Sequence, residues 1–415
     1  MHLIEIQTKM AFLLQAAQQE CRARGAAEGG SAVVQLADVL LREALTRGAS
    51  DLHCEPAPEG LHLRCRVDGL LCEPLPVLPA ALQGALTARW KIMAGMDVTG
   101  HQLPQDGHIA RLGDGTAVDI RVSSLPASHG EVLVMRFQQY DDTLLELEAL
   151  GFTADNLARF RQFIRQSAGL LIITGPMNSG KSTTLYAAIH ALTEPETSIV
   201  TLEDPIERQL PGVCQVQISE RTGLTYPVAL RALLRQDAEK ILLGEIRDED
   251  TAAMAVRIAL TGHLVLTTLH TDTCVDAIFR LREMGVPAYL LAAVLTGIVS
   301  QRLVRRLCPA CRESYTVAAG SAAAQALGTA YHEGLTLYRA HGCPACGGTG
   351  YHGRLAVHEL LPVTPQLREL ILQDAPPDAL RAAMTAASLP TLWQDGLTKC
   401  QQGLTSLEEL TRVLS

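Results

Sequence analysis

The chain has 415 residues, 47% of them hydrophobic and 19% charged, which excludes a disordered polypeptide and leaves room for two or three domains. Its 35 Lys and Arg against 44 Asp and Glu give a net charge of -9, a poor match for a protein that covers a long stretch of nucleic acid. Eleven cysteines, an odd number in a long chain whose start does not read as a secretory leader, point to a reducing cytoplasm rather than a disulfide framework.

In residues 1–31 the apolar positions Leu3, Ile6, Met10, Leu13 and Ala17 recur at helical spacing, and Glu5 stands where a signal peptide carries positive charge. This predicts an amphipathic helix, followed by a Gly-rich break at 25–30. Residues 33–47 read as a helix, 50–55 and 61–71 as two alternating strands, 82–96 as a helix, and 108–112, 117–123 and 131–137 as strands. The segment 32–140 is therefore expected to be a small α+β domain, with 141–166 as the linker that follows it.

From Gly169 onward short β-rich runs at 170–174, 198–203, 241–243 and 264–269 alternate with helical patterns. That alternation predicts a parallel sheet covered by helices over 167–306. Beyond Pro287 strand signals thin out and helices are expected to dominate, with a helical region at 361–415. The longest apolar stretch, near 288–299, falls short of the ~20 residues needed to cross a bilayer.

Gly175-Pro176-Met177-Asn178-Ser179-Gly180-Lys181-Ser182-Thr183 fits G-x-x-x-x-G-K-[ST] between a predicted strand and a predicted helix. Glycines let backbone N–H groups cradle phosphate at a helix N-terminus, Lys181 reaches the β- and γ-phosphates, and the Ser182 hydroxyl ligates Mg²⁺. Hydrolysis needs a carboxylate near the γ-phosphate as well. Glu245 in Gly244-Glu245-Ile246-Arg247-Asp248 and the acidic run Glu203-Asp204-Pro205-Ile206-Glu207 both end predicted strands, the level at which such sheets bind ligands. Thr261-Gly262-His263 and Leu269-His270-Thr271 flank the next strand.

The order GPxxSGKST, EDPIE, LLRQDxxxIxxGEIRD and TGHLVLTTLHTD resembles the hexameric ATPases of type II secretion and type IV pilus assembly, as their Walker A, Asp box, Walker B and His box. Upstream, Ala49-Ser50-Asp51-Leu52-His53, Leu103-Pro104-Gln105-Asp106-Gly107 and Val118-Asp119-Ile120-Arg121 extend the resemblance over about residues 32–415. It implies an α/β fold: a RecA-like P-loop NTPase core, preceded by a smaller PAS-like α+β domain. It further implies that Glu207 and Glu245 position water and metal, that His270 senses the γ-phosphate, and that Arg121 and Arg136 close over the nucleotide. Arg231, Arg235 and Arg247 match basic residues of the ATPase domain. Met177 and Asn178 stand where the family commonly has Thr and Gly, and Ala238-Glu239 replace a Pro-Asp pair, leaving Glu245 as the main Walker B carboxylate.

Cys308-Pro309-Ala310-Cys311 and Cys343-Pro344-Ala345-Cys346 form two C-x-x-C pairs separated by 31 residues, within a segment 307–360 of different composition. Four thiolates in paired knuckles satisfy tetrahedral Zn²⁺, with a thioredoxin-like redox pair as the competing reading. The remaining seven cysteines read as small core residues. The cysteine module also resembles the assembly branch of the family rather than the retraction branch.

The resemblance implies a homo-hexamer that uses ATP, Mg²⁺ and Zn²⁺ and works peripherally at the inner-membrane face. Its partners would be an inner-membrane platform and cytoplasmic docking proteins of a secretion or pilus machine, reached through the 3–17 helix or another surface, with no nucleic acid. A nucleotide-binding scaffold without turnover and a conjugation-type DNA-transfer ATPase are the alternatives.

Overall fold

In a computed structural model, residues 3–24, 30–138 and 141–414 are described, and they divide at Tyr140/Asp141 into two compact units. The Gly-rich break lies mostly outside them. The first unit begins with helices α1 (Leu3–Arg24) and α2 (Ser31–Thr46). Strands β1 (Ala49–Ala57), β2 (Gly60–Val67), β3 (Leu70–Cys72) and β4 (Leu78–Pro79) follow, then α3 (Ala80–Met93), β5 (Gln105–Arg111), β6 (Ala117–Ala127) and β7 (Gly130–Phe137). The strands form one antiparallel sheet in the order β3-β2-β1-β7-β6-β5, with β4 on β2.

Alternation places the apolar residues of this sheet on one face. Leu52, Cys54, Leu63, Cys65, Ile120, Val122, Leu133 and Met135 point to the core, where Leu36, Leu40, Leu86 and Trp90 of α2 and α3 meet them. Met10, Leu13, Ala17 and Cys21 of α1 join the same core, so that part of the predicted apolar stripe is consumed within the unit; the Leu3 and Ile6 side chains lie outside the described ones. The stretch 61–71, expected as a single strand, is a hairpin. Asp68 and Gly69 adopt φ of 49° and 86°, the left-handed pair that a two-residue turn between right-twisted strands demands.

The second unit carries α4 (Ala154–Ile164), β8 (Gly169–Thr174), α5 (Lys181–Leu192), β9 (Ile199–Glu203), β10 (Cys214–Gln217), α6 (Tyr226–Leu233), β11 (Lys240–Leu243), α7 (Glu249–Leu260) and β12 (Leu264–Leu269). Then come α8 (Cys274–Glu283), α9 (Ala288–Val294), β13 (Leu295–Leu307), β14 (Glu313–Thr316), α10 (Ala322–Leu327), β15 (Thr336–Arg339), β16 (Tyr351–Pro362), α11 (Pro365–Leu372), α12 (Pro377–Ala386), α13 (Leu392–Gln401) and α14 (Leu407–Leu414). The main sheet runs β10-β9-β11-β12-β8-β13-β16, parallel except for the antiparallel edge strand β16.

Both faces of this sheet are covered. Leu170 and Ile172 pack with α7, α8 and α9, while Leu171 and Ile173 pack with α4 and α5. Residues 141–166, read as a linker, thus supply Phe160, Phe163 and Ile164 to the second unit's core. The expectation of helix beyond Pro287 is overturned by β13 and β16, 13 and 12 residues long, which pair with each other along most of their length. The apolar run at 288–299 is a short helix passing directly into a buried strand, and an unbroken apolar run carries no period that separates the two.

Candidate functional site

The phosphate loop leaves the sheet at the carboxyl end of β8 and enters α5. Asn178 sits at φ 61° and Gly180 at 86°, so the position where the family commonly has Gly is filled by one of the few side chains that tolerates a left-handed backbone. Gly175 and Gly180 are required sterically as well. A Cβ on the first would lie 2.4 Å from the Gln301 carbonyl oxygen, and on the second 2.8 Å from its side-chain nitrogen.

The Lys181 ammonium is folded inward, donating to the carbonyls of Gly175 (2.9 Å) and Pro176 (2.8 Å). Burial lowers its pKa to about 8, against the attraction of Glu245 and with some help from Arg302. The Ser179 hydroxyl is buried with no internal partner. A buried donor left open beside a turned-in lysine fits a loop whose remaining partners come from a phosphate ligand. Ser182 and Thr183 lie in the first turn of α5, half-buried, and Met177 is exposed at the loop's tip.

Neighbouring strand ends converge on this lysine. His270, just past β12, places Nδ1 3.4 Å from the Lys181 Nζ and Nε2 3.4 Å from Glu245 Oε2, just past β11. Glu245 also pairs with Arg247, which reaches Asp204 at 3.5 Å. The Thr174 hydroxyl ties β8 to the same turn by accepting from the Thr271 N–H (3.0 Å). Glu203 is buried and fully engaged, accepting from Tyr186, Thr201 and Gln215. Glu207 is exposed, and its N–H donates to the Tyr186 hydroxyl of α5 (3.1 Å).

Lys181, His270 and Glu245 therefore form one cluster. Glu239 and His263 precede β11 and β12, at the amino ends of the strands and so at the opposite end from the cluster, and neither belongs to it. Arg231 and Arg235 are exposed on and just beyond α6. Two buried residues went unpredicted: Tyr186, and Gln301 on β13. Ser300-Gln301, a polar pair inside the apolar run of β13, is the sequence signal for the second.

In the first unit, Arg66, Asp51, Arg136, Arg121 and His108 are successive cross-strand neighbours on the face of the sheet opposite its apolar core. The two predicted arginines thus stand directly opposite each other. Asp51 accepts from Arg136 Nε at 3.0 Å, and Arg66 Nε lies 3.8 Å from its other oxygen.

The four predicted ligand cysteines meet. Cys308 and Cys343 sulfurs are 3.9 Å apart, Cys311 and Cys346 3.9 Å, and Cys343 and Cys346 3.8 Å, with all four within 4.8 Å. Tetrahedral ligation at a metal–sulfur bond of 2.3 Å needs an edge of about 3.8 Å, so the thiols already outline that tetrahedron. Among the described residues this is the one such cluster. Burial pushes the Cys346 thiol up, but N–H groups of Cys343 (3.2 Å) and Gly350 (3.1 Å) donating to its sulfur, together with the Cys343 and Cys311 thiols beside it, outweigh that and bring it down to about 6. Between the two cysteine pairs in sequence, Val317, Leu327, Leu335 and Leu337 pack against Leu397, Cys400 and Leu410 of α13 and α14. Of the other seven cysteines, Cys72 and Cys214 are exposed rather than core residues; both lie on edge strands.

Residues 26–412 match a family model described as Type II/IV secretion system protein. The chain is 45% identical over 386 residues to the type II secretion system ATPase E of Vibrio cholerae, covering 93% of this chain and 76% of that protein. It is 40% identical over 380 residues to the type IV pilus assembly ATPase PilB of Thermus thermophilus, covering 92% and 43%. The crystal structure of the pilus retraction motor PilT with bound ADP is similar at a TM-score of 0.61 and 26% identity, over 90% of this chain and 96% of that one. With a P-loop, a strand-end carboxylate and a His box brought into contact, the chain belongs to the type II/IV secretion system protein family, as an ATPase.

Proposed function

We propose that this ATPase works as a homo-hexamer at the inner-membrane face, converting hydrolysis into relative motion of its upstream module (32–140) and its ATPase core (167–306) to drive protein secretion or pilus assembly. The observation that carries the reading is the contact chain Lys181–His270–Glu245 at the carboxyl ends of three adjacent strands. A scaffold that only held nucleotide would need the lysine, but not an imidazole and a carboxylate aligned behind it.

In this reading Gly175 to Thr183 seat the phosphates, and Lys181 leaves the Gly175 and Pro176 carbonyls to meet them. Ser182 holds Mg²⁺, which when bound neutralises phosphate charge. Glu245 orients the attacking water, His270 reports the γ-phosphate, and Glu207 assists at the metal. Arg121 and Arg136 neutralise charge on the transferred phosphoryl group, for which a fixed planar cation suits. Cys308, Cys311, Cys343 and Cys346 hold one Zn²⁺, and a closed four-thiolate shell makes it a cross-link rather than a reaction centre. Among the described residues no helix is long and apolar enough to cross a membrane; in this reading attachment runs through partner proteins. Because Met10, Leu13 and Ala17 are buried, docking uses a surface other than that stripe.

Glu245→Gln tests the assignment. It should retain ATP with near wild-type affinity while phosphate release falls at least ~100-fold. Undiminished turnover would remove Glu245 from the mechanism, and turnover stimulated by DNA would favour a DNA-transfer motor.

A further inference from the structure

The ladder between β8 and β13 ends at the pair Thr174 and Ser300, and one residue later the two chains part. Gly175 departs as the phosphate loop, while Gln301 stays in β13, 2% exposed. Its backbone oxygen packs against Gly175 so closely that no side chain fits there. Its side chain crosses to the other end of the loop, where Nε2 donates to the Ser179 carbonyl (2.7 Å) and Oε1 accepts from the Thr184 hydroxyl (2.8 Å) of α5.

A peptide unit is planar and trans, so its C=O and N–H point in opposite directions. Fixing the Ser179 carbonyl against β13 turns the Gly180 N–H away from that strand. The Thr184 hydroxyl, held by the same amide, fixes the rotation of the first turn of α5, whose N–H groups would otherwise be aimed only by the loop. Gln301 thus grips both ends of an element that must be set before phosphate arrives.

We infer that Gln301 is the positioning residue of the phosphate loop: it orients the loop's peptide N–H groups and the start of α5 for the nucleotide phosphates without touching them. The inference rests on the ATPase reading. Because the loop contacts phosphate in ground and transition states alike, losing its preorganisation removes uniform binding and raises KM more than it lowers kcat.

The test uses the full chain, with MgADP affinity by calorimetry and steady-state ATP turnover. Gln301→Leu strands the Ser179 carbonyl and leaves the Thr184 hydroxyl only its longer bond to the Gly180 carbonyl (3.3 Å), and should weaken MgADP and raise KM by about 10-fold or more, with kcat within about 3-fold. Thr184→Val should weaken MgADP by about 3-fold, and the double variant should be no worse than Gln301→Leu alone, since both act through one bond network. Wild-type affinity in a folded Gln301→Leu variant, a fallen kcat with unchanged KM, or additive effects would each overturn the inference. Should Gln301→Leu fail to fold, Thr184→Val and Gln301→Asn decide: weaker MgADP in both supports it, and unchanged affinity in either overturns it. A wild-type chain without turnover would refute the ATPase reading, while MgADP affinity would still report on Gln301.

Discussion

The phosphate loop and the four-cysteine cluster are served by the same strand, yet they are built for opposite purposes. β13 backs the loop with Gln301 and delivers Cys308 immediately after its last residue. At the loop, Lys181 rests on two carbonyls that a phosphate can replace, and the Ser179 hydroxyl has no internal partner. At the cluster, sulfurs face one another close to tetrahedral spacing, with the Cys343 and Gly350 N–H groups donating to the Cys346 sulfur. The first arrangement is cheap to exchange and suits a turnover cycle. The second, if it holds a metal, would fill all four positions with thiolates and suits a permanent brace.

Lys181→Ala should break the exchangeable site outright. Without the ammonium, ATP hydrolysis measured by phosphate release should fall at least ~100-fold, because a preorganised charge is removed from the developing phosphoryl charge. Near-normal hydrolysis would mean that the loop is not the catalytic site. Arg121→Ala and Arg136→Ala should act on the same cycle, lowering kcat by about 10-fold or more while leaving nucleotide affinity within about 3-fold. If both variants turn over normally, the pair is a feature of the first unit's sheet, where Asp51 already partners Arg136.

The brace should fail differently. Cys343→Ser should abolish the one bound metal per chain, read by elemental analysis of protein purified under reducing conditions, and unfold the segment 308–346. Nucleotide affinity should stay within about 2-fold, since distant sites act independently. Metal-free wild-type protein, or a Cys343→Ser variant that keeps its metal, would argue against the cluster as a zinc site.

The same contrast explains what could be read from the residues. The loop and the cysteine pairs are local patterns whose chemistry requires that spacing, so the sequence alone locates the candidate loop and brings out the four cysteines that the structure gathers, and Asn178 at φ 61° answers why Asn stands there. Glu245 and His270 were legible through their order relative to the loop, and the structure brings both to Lys181. What was not legible depends on partners distant in sequence. β13 and β16 hide in runs whose period is erased by burial on both faces, so the pattern at the sheet's far edge does not separate strand from helix. Gln301 meets Ser179 and Thr184 across more than a hundred residues, and nothing local marks it except a polar pair in an apolar run. The Asp68-Gly69 turn, by contrast, does carry a local mark, because Asp-Gly between alternating apolar residues is itself a hairpin signal.

The smallest expected effect follows from the lysine's burial. In the nucleotide-free chain burial lowers Lys181 from 10.5 to about 8, so its charge is lost as pH rises through that value. Phosphate oxygens favour the ammonium and raise the pKa in the complex. Binding at a pH near 8 must then take up part of a proton, and affinity must weaken as pH rises, by a few-fold between about pH 7.5 and 9, where nucleotide phosphates are already ionised. Calorimetry in buffers of different ionisation enthalpy measures the uptake directly. Lys181→Arg supplies a cation that does not titrate in this range, so whatever affinity it retains should be independent of pH over that window. A wild-type chain whose MgADP affinity is flat from pH 7.5 to 9, with no proton taken up, would mean that Lys181 keeps its full charge in the empty loop, and that exchanging carbonyls for phosphate involves no change in protonation.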